Sequence, residues 1–445
     1  MNLLKMHATV LISLFATTVF SATGTPLDTA LTRTILLKNG MPLIARETPG
    51  SDIVHIEVSF LNGSSNQPSN QKAANLLAFE TMPYATKSYP KEKIFALSEK
   101  YSFGVGCRGG VEVSHCEVET IQDYLPQALN ILASVVLEPT FSDADVALAK
   151  QQRIADFQQE IQNPEAHANS VANTVFYDQN HPYRLLPEEG VKQTEPLTQA
   201  DLKKYHGSVL NAGKMFIVYV GPKMSTATSN FINKKFGTIR SLGDEKAKVP
   251  PPVFDAKNAV AFDHRTIPTA YIRIKFNAPS AASVDAPATS VMFEILSEML
   301  HEEVRTKRSL SYSVYANTIQ YKQGIGIIGA STSKPQETLE AIATVIKKLR
   351  DHGVSQEELN EYRNSFSTSY FLTMETHDQL AAALSSSQAY FGDAAQLYQI
   401  PNKINAVTPS DIQRVAKEVL KNFRVGIVFD KEKFNPKWVA PIKNL

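Results

Sequence analysis

The sequence predicts an α+β protein of two homologous domains, each an antiparallel sheet with helices packed on one face, forming a clamshell around a cavity. Three observations support this fold class. The order of strands and helices in the first half of the 445 residues is repeated in the second half. Within each half, strands and helices come in blocks rather than in strict alternation, which is typical of antiparallel sheets. A charged and proline-rich segment separates the halves, as expected of a linker.

The chain begins with the pattern of a secretory signal peptide, which we assign to residues 1–21. Lys5 precedes an apolar stretch over residues 8–20, and small residues suit cleavage before Ala22. A membrane anchor is the alternative, but the apolar run is shorter than the roughly 20 residues that a bilayer span needs. We therefore expect a periplasmic or otherwise exported soluble protein with no stable membrane insertion after cleavage.

The first repeated unit is a strand followed by a helix. Residues 53–60 alternate apolar and polar side chains as a strand does, and a polar loop leads from them to an apolar helix over residues 73–82. In the second half, residues 270–276 and 290–300 repeat this strand and helix. The correspondence is the first sign of an internal duplication.

The next repeated unit is a pair of helices. Residues 125–136 and 337–349 each have the pattern of an amphipathic helix. Each is followed by a long helix, for which Ser142 and Ser355 are the predicted N-caps. Two elements thus recur in the same order at a similar offset.

The last repeated unit closes each half. The segments LTQADL from Leu197 and VTPSDI from Val407 each open a helix that ends before a strand, at residues 215–220 and 425–429. With this unit, four landmarks hold their order across the two halves: the strand with its helix, the amphipathic helix, the capped long helix and the closing helix with its strand. Chance periodicity would rarely give such agreement.

The domain boundary is predicted at residues 241–255, which read SLGDEKAKVPPPVFD. Charged residues followed by prolines suit an exposed, semi-rigid linker. The N-terminal domain is then residues 27–240 and the C-terminal one residues 256–430, with residues 431–445 as a C-terminal tail.

Charge and cysteine content narrow the possible functions. Lys and Arg number 45 against 44 Asp and Glu, so no uniform field attracts phosphate backbones, and we expect no nucleic-acid partner. The two cysteines, Cys107 and Cys116, can form a disulfide in an oxidising compartment. If the turn between them were centred on residues 109 and 110, Cys107 would instead face Glu112. The sequence leaves the pairing open.

Several pieces of the sequence, by their order and spacing, resemble the pitrilysin or insulinase family of inverted-zincin metallopeptidases. This family includes the mitochondrial processing peptidases and many exported bacterial zinc proteases. The resemblance extends over nearly the whole mature chain. Its pieces are residues 82–90 (MPYATKSYP), residues 137–142 (LEPTFS), the His181-Pro-Tyr turn, the helix start at Leu197 and residues 305–312.

In that family, an H-x-x-E-H motif on a helix of the first domain supplies two zinc-binding histidines and a glutamate that polarises water. This sequence resembles a member that has lost the motif. One alignment places Asn75, Ala78 and Phe79 at the histidine, glutamate and histidine positions. A shift by one residue places Leu76, Phe79 and Glu80 there. Neither alignment supplies two imidazoles on one helical face.

The resemblance also implies a distal glutamate ligand, whose position falls near Asp156 or Glu160 on a long helix over residues 144–162. Acidic residues on such a helix are more often simply solvated. A single carboxylate cannot hold zinc and leave a position open for substrate. We therefore expect no cofactor bound by this chain, and zinc in a homologous partner subunit.

The second domain keeps a pair of residues that resemble the family's substrate-contacting pair, Arg305 and Tyr312. Arginine offers a fork of donors to a peptide carbonyl or carboxylate, and tyrosine a phenolic donor to a developing oxyanion. A structural alternative makes Arg305 a cation at a helix end and Tyr312 the edge of a strand. Residues 324–331 (GIGIIGAS) resemble the strand on which the family binds extended peptides by edge pairing. The alternative is an ordinary buried strand.

These features predict a non-catalytic, substrate-binding subunit of an exported zinc metallopeptidase complex that cleaves extended peptides. It would supply Arg305 and Tyr312 to a homologous subunit that carries H-x-x-E-H. One alternative is a pseudo-peptidase that acts as a peptide-binding or structural scaffold without a catalytic partner. Another is an autonomous zinc protease with non-standard ligands.

Overall fold

The computed structural model describes residues 29–243 and 258–445. The predicted signal peptide and most of the predicted linker lie outside these residues.

Each half of the chain folds into one sheet with associated helices. The strands of the first half are β1 Thr32–Leu36, β2 Pro42–Glu47, β3 Ile53–Phe60, β4 Gly104–Arg108, β5 Ser114–Ile121 and β6 Met215–Gly221. Its helices are α1 Ala73–Thr81, α2 Lys91–Tyr101, α3 Leu125–Leu137, α4 Asp143–Gln162, α5 Pro164–Phe176, α6 Pro187–Thr194, α7 Gln199–Val209 and α8 Thr226–Phe236.

The second half repeats this series. Its strands are β7 Ala259–His264, β8 Ala270–Ala278, β9 Ser313–Ile319, β10 Gly324–Thr332 and β11 Arg424–Phe429. Its helices are α9 Ala286–Leu300, α10 Pro335–His352, α11 Gln356–Leu372, α12 His377–Phe391, α13 Ile400–Asn405, α14 Pro409–Val419 and α15 Ala440–Lys443.

The two sheets share one topology. The first sheet has the strand order β1-β2-β6-β3-β5-β4, and the second has the order β7-β11-β8-β10-β9. Apart from the additional β1, each position in one sheet has its counterpart in the other. The strands pair antiparallel except for one parallel pair in each sheet, β2 with β6 and β7 with β11. The predicted α+β class with two homologous domains is confirmed.

Helix starts follow the predicted caps. Ser142 accepts a hydrogen bond from the backbone N–H of Asp145 at the start of α4. Ser355 and Glu358 form a reciprocal capping box at the start of α11, and Thr198 forms another with Asp201 at the start of α7. Such caps satisfy backbone donors that the first helical turn leaves free. The N-caps predicted at Ser142 and Ser355 are confirmed.

One face of each sheet packs against helices of its own half. In β3, Val54, Ile56, Val58 and Phe60 point into this core, whereas the alternate residues point to the opposite face. The equivalent residues of β8, among them Ile272 and Ile274, line the second core. We call the faces turned away from these cores the outer faces.

The outer faces are covered by helices that the halves exchange. Helix α5 of the first half packs on β8 and β11 of the second sheet, where Ala168 and Val171 contact Val428. Helix α12 of the second half packs on β3 and β6 of the first sheet, with Leu380 and Leu384 buried in the contact. Each half therefore completes the burial of the other.

The contact of α5 with the second sheet is very close at Gly426 of β11. A Cβ atom at this position would lie 2.3 Å from the backbone nitrogen of Ala172 in α5. Only glycine permits this approach of helix to strand. The fit between the halves thus depends on backbone contact as well as on side chains.

A buried polar contact also joins the halves. The carboxylate of Glu112 accepts hydrogen bonds from the hydroxyl of Tyr183 and from the backbone N–H of Lys322 in the second half. The hydroxyl of Tyr183 accepts a further bond, 3.2 Å long, from the backbone N–H of Gln323. Burial and the hydrogen bond to Glu112 raise the pKa of Tyr183, so it remains the donor.

The exchanged helices occupy much of the space in which the sequence predicted a cavity. One recess of about 420 Å³ lies between the outer face of the first sheet and the start of α12. Another of about 280 Å³ lies beside β6 and the end of α12. The two halves thus meet through packed helices with recesses at the margins.

Residues 431–445, predicted as a tail, are packed into the second half. They include α15, and Val439 and Ile442 are buried in the core formed with α10. Across residues 29–243 and 258–445, no helix combines the length and the apolar character needed to cross a membrane.

Candidate functional site

Helix α1 carries the positions at which the sequence analysis sought the zinc motif. Asn75, Ala78 and Phe79 are fully buried on its core-facing side. The side-chain amide of Asn75 donates hydrogen bonds to the hydroxyls of Ser114 at 2.8 Å and Tyr205 at 2.6 Å. These three residues are therefore part of the core of the first half. The Asn75 side chain points towards β5 and α7 rather than towards α4.

Glu80 of α1 lies beside α4 instead. Its carboxylate accepts hydrogen bonds from Arg153 Nη2 at 2.6 Å and from Arg153 Nε at 2.9 Å. The same guanidinium lies 3.5 Å from Asp156, on the next turn of α4. Of the shifted alignment, only Glu80 is brought near the distal carboxylate, because Phe79 is buried in the core against Phe60.

These residues do not fit zinc. The guanidinium of Arg153 supplies the positive charge between Glu80 and Asp156, and no imidazole stands beside them in the described structure. Glu160, the other distal candidate, accepts a hydrogen bond from Ser170. Burial raises the pKa of Glu80, and Arg153 acts against this rise. The geometry is that of a partly buried ion pair.

Arg305 and Tyr312 lie together at the surface of the second half. Arg305 belongs to a π-helical segment, His301–Lys307, that continues α9, and Tyr312 immediately precedes β9. The guanidinium of Arg305 lies 4.6 Å from the centre of the Tyr312 ring, and its Nη1 lies 3.2 Å from His301 Nε2. Tyr312 is 83% exposed, which is unusual for a large aromatic side chain.

Residues 324–331 do not offer an edge for peptide pairing, contrary to the resemblance. They lie in β10, which pairs with β8 along one side and with β9 along the other. The glycines serve packing, since a Cβ at Gly326 would lie 2.3 Å from the ring of Phe276 and one at Gly329 would lie 2.4 Å from the ring of Tyr315. The alternative of a buried interior strand is the correct one.

Cys107 and Cys116 form a disulfide between β4 and β5. The two residues are direct partners in the strand register, and Arg108 pairs with His115 next to them. The connection is therefore longer than a turn centred on residues 109 and 110. The register in which Cys107 faces Glu112 is wrong.

A cluster of acidic and imidazole side chains, which sequence reasoning missed, lies on the outer face of the first sheet. His55 and Glu57 of β3 stand beside Glu117 and Glu119 of β5, with Glu57 directly opposite Glu117. Alternate positions of a strand share one face, so the patterns H-x-E at residue 55 and H-x-E-x-E at residue 115 carried the signal. A search for helical H-x-x-x-H spacing could not find it.

Two sequence models of one family match the chain in succession. The model described as "Insulinase (Peptidase family M16)" matches residues 43–186, and the one described as "Peptidase M16 inactive domain" matches residues 196–366. The fold and these matches define a peptidase-type protein of two related domains. The chain belongs to the M16, or insulinase, peptidase family. The resemblance seen in the sequence is confirmed.

Named relatives and solved structures agree with this assignment. Over 415 residues the chain is 19% identical to the "Zinc protease PqqE" of Helicobacter pylori, covering 89% of this chain and 92% of the relative. A crystal structure of a peptidase M16 inactive domain from Pseudomonas fluorescens is 20% identical with a TM-score of 0.82, covering 90% of this chain and 98% of that one.

The periplasmic protease PqqL of Escherichia coli is also similar in structure. It is 18% identical with a TM-score of 0.76, and the match covers 90% of this chain but 45% of PqqL. At these identities the solved structures establish the fold. Two-domain units of this type thus occur both as whole chains and as about half of a longer one.

Proposed function

We propose that this protein is a non-catalytic, substrate-binding subunit of an exported zinc metallopeptidase. In this proposal it presents Arg305 and Tyr312 to a peptide that a homologous H-x-x-E-H subunit cleaves. The guanidinium would bind a peptide carbonyl or carboxylate, and the phenol would donate to the oxyanion that develops during hydrolysis. Zinc and the water that it activates would belong to the partner.

The exposed Arg305 and Tyr312 pair is the observation that carries the proposal. A tyrosine ring that is 83% exposed and stacked under a guanidinium contributes little to its own fold. Such a pair is available to a second chain and its substrate. π-Helical segments such as His301–Lys307 are also frequent at functional sites.

The loss of the zinc motif supports a division of labour between two subunits. The Arg153 and Glu80 ion pair fills the place where α1 and α4 meet, so water activation would need another chain. The match to 45% of PqqL agrees with this idea, because the remainder of that longer chain leaves room for a second unit. In this protein, a separate homologous subunit would replace that second unit.

Extended peptides suit the edges of the two sheets. In the described structure, β4 pairs only with β5 and β9 only with β10, so each strand has one edge without a partner strand. Free strand edges accept added strands by main-chain hydrogen bonding. Tyr312 lies directly before β9, so a peptide on this edge would come close to the proposed contact pair.

Export is supported by three independent features. The N-terminal sequence has the pattern of a signal peptide. The Cys107–Cys116 disulfide suits an oxidising compartment. A structural neighbour, PqqL, is described as a periplasmic protease. We propose that the mature chain acts in the periplasm or an equivalent exported location.

The decisive experiment is reconstitution with the H-x-x-E-H homologue that co-purifies with the chain from its native host. We expect peptide cleavage only when both chains are present. Arg305→Ala and Tyr312→Phe should each lower kcat/KM about tenfold to a hundredfold, with assembly unchanged. Arg308→Ala is the matched control, because Arg308 is exposed, directly follows the same segment and pairs with Glu303 at 2.7 Å.

The possible outcomes separate the competing functions. Equal losses in the Arg305 and Arg308 variants would remove the substrate-contact role. A chain that purifies without a related subunit, yet binds unstructured peptides, would be a scaffold. Chelator-sensitive cleavage by the chain alone would identify an autonomous protease.

A further inference from the structure

The outer face of the first sheet carries a compact group of possible metal ligands away from the α1 and α4 ion pair. His55, Glu57 and Glu117 each offer one ligand atom, and these atoms all lie within 4.8 Å of one another. All three residues point to the same face, because they alternate along β3 and β5 and sit in adjacent register. The rigid strands fix their backbone positions.

His55 is a buried imidazole without a hydrogen bond. Its side chain is 3% exposed, and neither Nδ1 nor Nε2 has a hydrogen-bond partner in the described structure. Carboxylate oxygens of Glu117 and Glu119 lie 3.6 and 3.5 Å from these nitrogens, beyond normal hydrogen-bond length. A buried polar group of this kind requires a partner. A metal ion next to the carboxylates would supply one.

Glu57, two residues further along β3, is a buried carboxylate without a positive charge paired to it among the described residues. It accepts hydrogen bonds from Ser59 and, at 2.6 Å, from Ser385 of α12. Within the described residues no lysine or arginine forms an ion pair with it, and Glu117 stands directly opposite on β5. Like charges across a strand pair repel each other, and buried charges are normally paired or bound to a metal.

The space beside these residues is open to an ion. The recess of about 420 Å³ under the start of α12 is lined by His55, Glu117, Glu119 and Asp378. Its floor includes Gly104 and Gly106 of β4, where an added Cβ would meet no atom within 4 Å. Solvent and ions can therefore reach the cluster from the edge of the sheet.

We propose that His55, Glu57 and Glu117 bind a divalent transition-metal ion, with Zn²⁺ as the best match to one imidazole and two carboxylates. Zinc ligands of these types lie about 2.0–2.2 Å from the metal, which sets their mutual separation at roughly 3.3 Å in a tetrahedron. Glu117 is half-exposed, so rotation of its side chain can shorten the present distances of up to 4.8 Å between the ligand atoms to this value. Water, or the nearby Glu119, completes the coordination.

This site differs from the peptidase centre that the sequence analysis sought. It lies on the opposite face of the sheet from α1, and it includes Ser385 and Asp378 from the second half among its surroundings. Its role would be structural, since the ion would strengthen the contact of α12 with the first sheet. The expectation that this chain binds no metal was drawn from the motif positions on α1 and the distal carboxylate on α4, and the proposal replaces it for this face.

The competing explanation needs no metal. The carboxylates of Glu117 and Glu119 could instead be balanced by neighbouring side chains, since they lie 3.6 and 3.5 Å from the His55 ring nitrogens and Glu117 lies 3.8 Å from His115 Nε2. His377 of α12 also faces His55 and Glu119, and Arg108 lies opposite His115 in the strand register. In that case the cluster would have no specific affinity for Zn²⁺.

The test is metal binding by the full mature chain after removal of metals with a chelator. Calorimetric titration with Zn²⁺ should show one equivalent bound, together with a rise in Tm. Titration with Co²⁺ should give visible absorption from imidazole and carboxylate coordination and shift the NMR signals of His55. Glu117→Gln should weaken Zn²⁺ binding about tenfold or more. Glu47→Gln, a half-buried strand glutamate outside the cluster, should bind as the wild type does.

Binding is measured at neutral pH. Zn²⁺ binding that is equal in wild type and Glu117→Gln would overturn the proposal, as would the absence of binding by the stripped wild-type chain. The Co²⁺ shift of His55 is read on wild-type protein, so it decides the matter even if a variant folds poorly.

Discussion

At the scale of single residues, two charged side chains occupy sites where burial works against the charge. Glu80 is held between helices by Arg153, and Lys275 of β8 lies under the exchanged helix α5, where it donates to Asn173 at 2.6 Å. Burial lowers the pKa of Lys275 to about 7, with a further contribution from Arg273. Both sites make the stability of the protein depend on pH.

Replacement of Arg153 by methionine should destabilise the protein at pH 7 by about 1–3 kcal/mol, because it leaves a partly buried carboxylate without its partner. Burial already raises the pKa of Glu80 above its unfolded value, so the folded state retains the proton to higher pH than the unfolded state does. Stability therefore falls as the pH rises through this range, and more so in the variant. Urea denaturation at pH 7 and pH 4.5 should show a smaller loss at the lower pH.

The double variant Arg153→Met with Glu80→Gln serves as the control. Since it removes both charges, it should recover most of the stability lost at pH 7. An equal loss at both pH values in the single variant would contradict the assignment to Glu80.

The Lys275→Met variant should lose a pH dependence that the wild type has. The pKa of about 7 lies well below the value of an unfolded lysine, so between pH 7 and pH 9 the unfolded chain binds more protons. Wild-type stability should then rise with pH through Lys275 by up to about 1.4 kcal/mol per pH unit, and this part should vanish in the variant. Denaturation curves at pH 7, 8 and 9 measure it. Lys347→Met, on the exposed face of α10, should keep the wild-type slope.

At the scale of elements, the exchanged helices α5 and α12 bury the outer faces of the two sheets. Each covers an outer face that its own half cannot reach. The outer faces also carry buried charged residues, with Arg46 and Glu57 on the first sheet and Arg273, Lys275 and Arg424 on the second. The exchange therefore buries polar as well as apolar strand positions.

Gly426→Ala should weaken the contact of α5 with the second sheet. The added methyl group would come within 2.3 Å of the backbone of Ala172, so strand or helix must move, at a cost of about 1–3 kcal/mol. Hydrogen exchange of α5 amides and urea denaturation should both report the change. Gly207→Ala is the matched control, because a Cβ at Gly207 in α7 meets no atom within 4 Å. It should be neutral or stabilise by roughly 0.5–1 kcal/mol. Similar behaviour of both variants would refute the close approach.

Sequence reasoning succeeded where the signal is local. Caps at Ser142 and Ser355 and the extent of β3 follow from nearest neighbours along the chain, and the structure reproduces them. Order along the chain also disclosed the duplication. These features need no knowledge of which elements meet.

Features that depend on distant partners were either missed or left open between alternatives. The interior position of β10, the register that joins Cys107 to Cys116 and the exchange of α5 and α12 are set by tertiary packing. The pairing of Glu80 with Arg153 joins residues that lie 73 positions apart. Only the His55 and Glu117 cluster left a trace in the sequence, as alternating patterns on two strands.

At the scale of the whole molecule, the exchange of α5 and α12 predicts that the two halves do not dissociate easily. A protease cut within residues 245–249 of the predicted linker should give two fragments that still elute together under native conditions. Size-exclusion chromatography of the cut chain, with a denaturing gel of the peak, tests this expectation. Fragments that elute separately and stay folded would show that the contacts of α5 and α12 are dispensable.

The isolated chain should not cleave unstructured peptides, with or without added Zn²⁺, because the α1 and α4 site holds an ion pair instead of zinc ligands. Bound zinc, if present, should be lost in Glu117→Gln and retained in Glu80→Gln. Metal analysis and peptide cleavage assays on the same preparations measure both quantities. Chelator-sensitive cleavage that disappears in Glu80→Gln would place catalysis in this chain.

The reciprocal placement of α5 and α12 also bears on the origin of the chain. A single-domain ancestor with this topology would have left one face of its sheet exposed to solvent. Two copies could have covered these faces by exchanging one helix each. That arrangement is a domain-swapped homodimer with two-fold symmetry. Gene duplication and fusion would then have joined the two protomers into one polypeptide. Once joined, the copies were free to diverge, and each sheet could acquire its own charge and its own ligands.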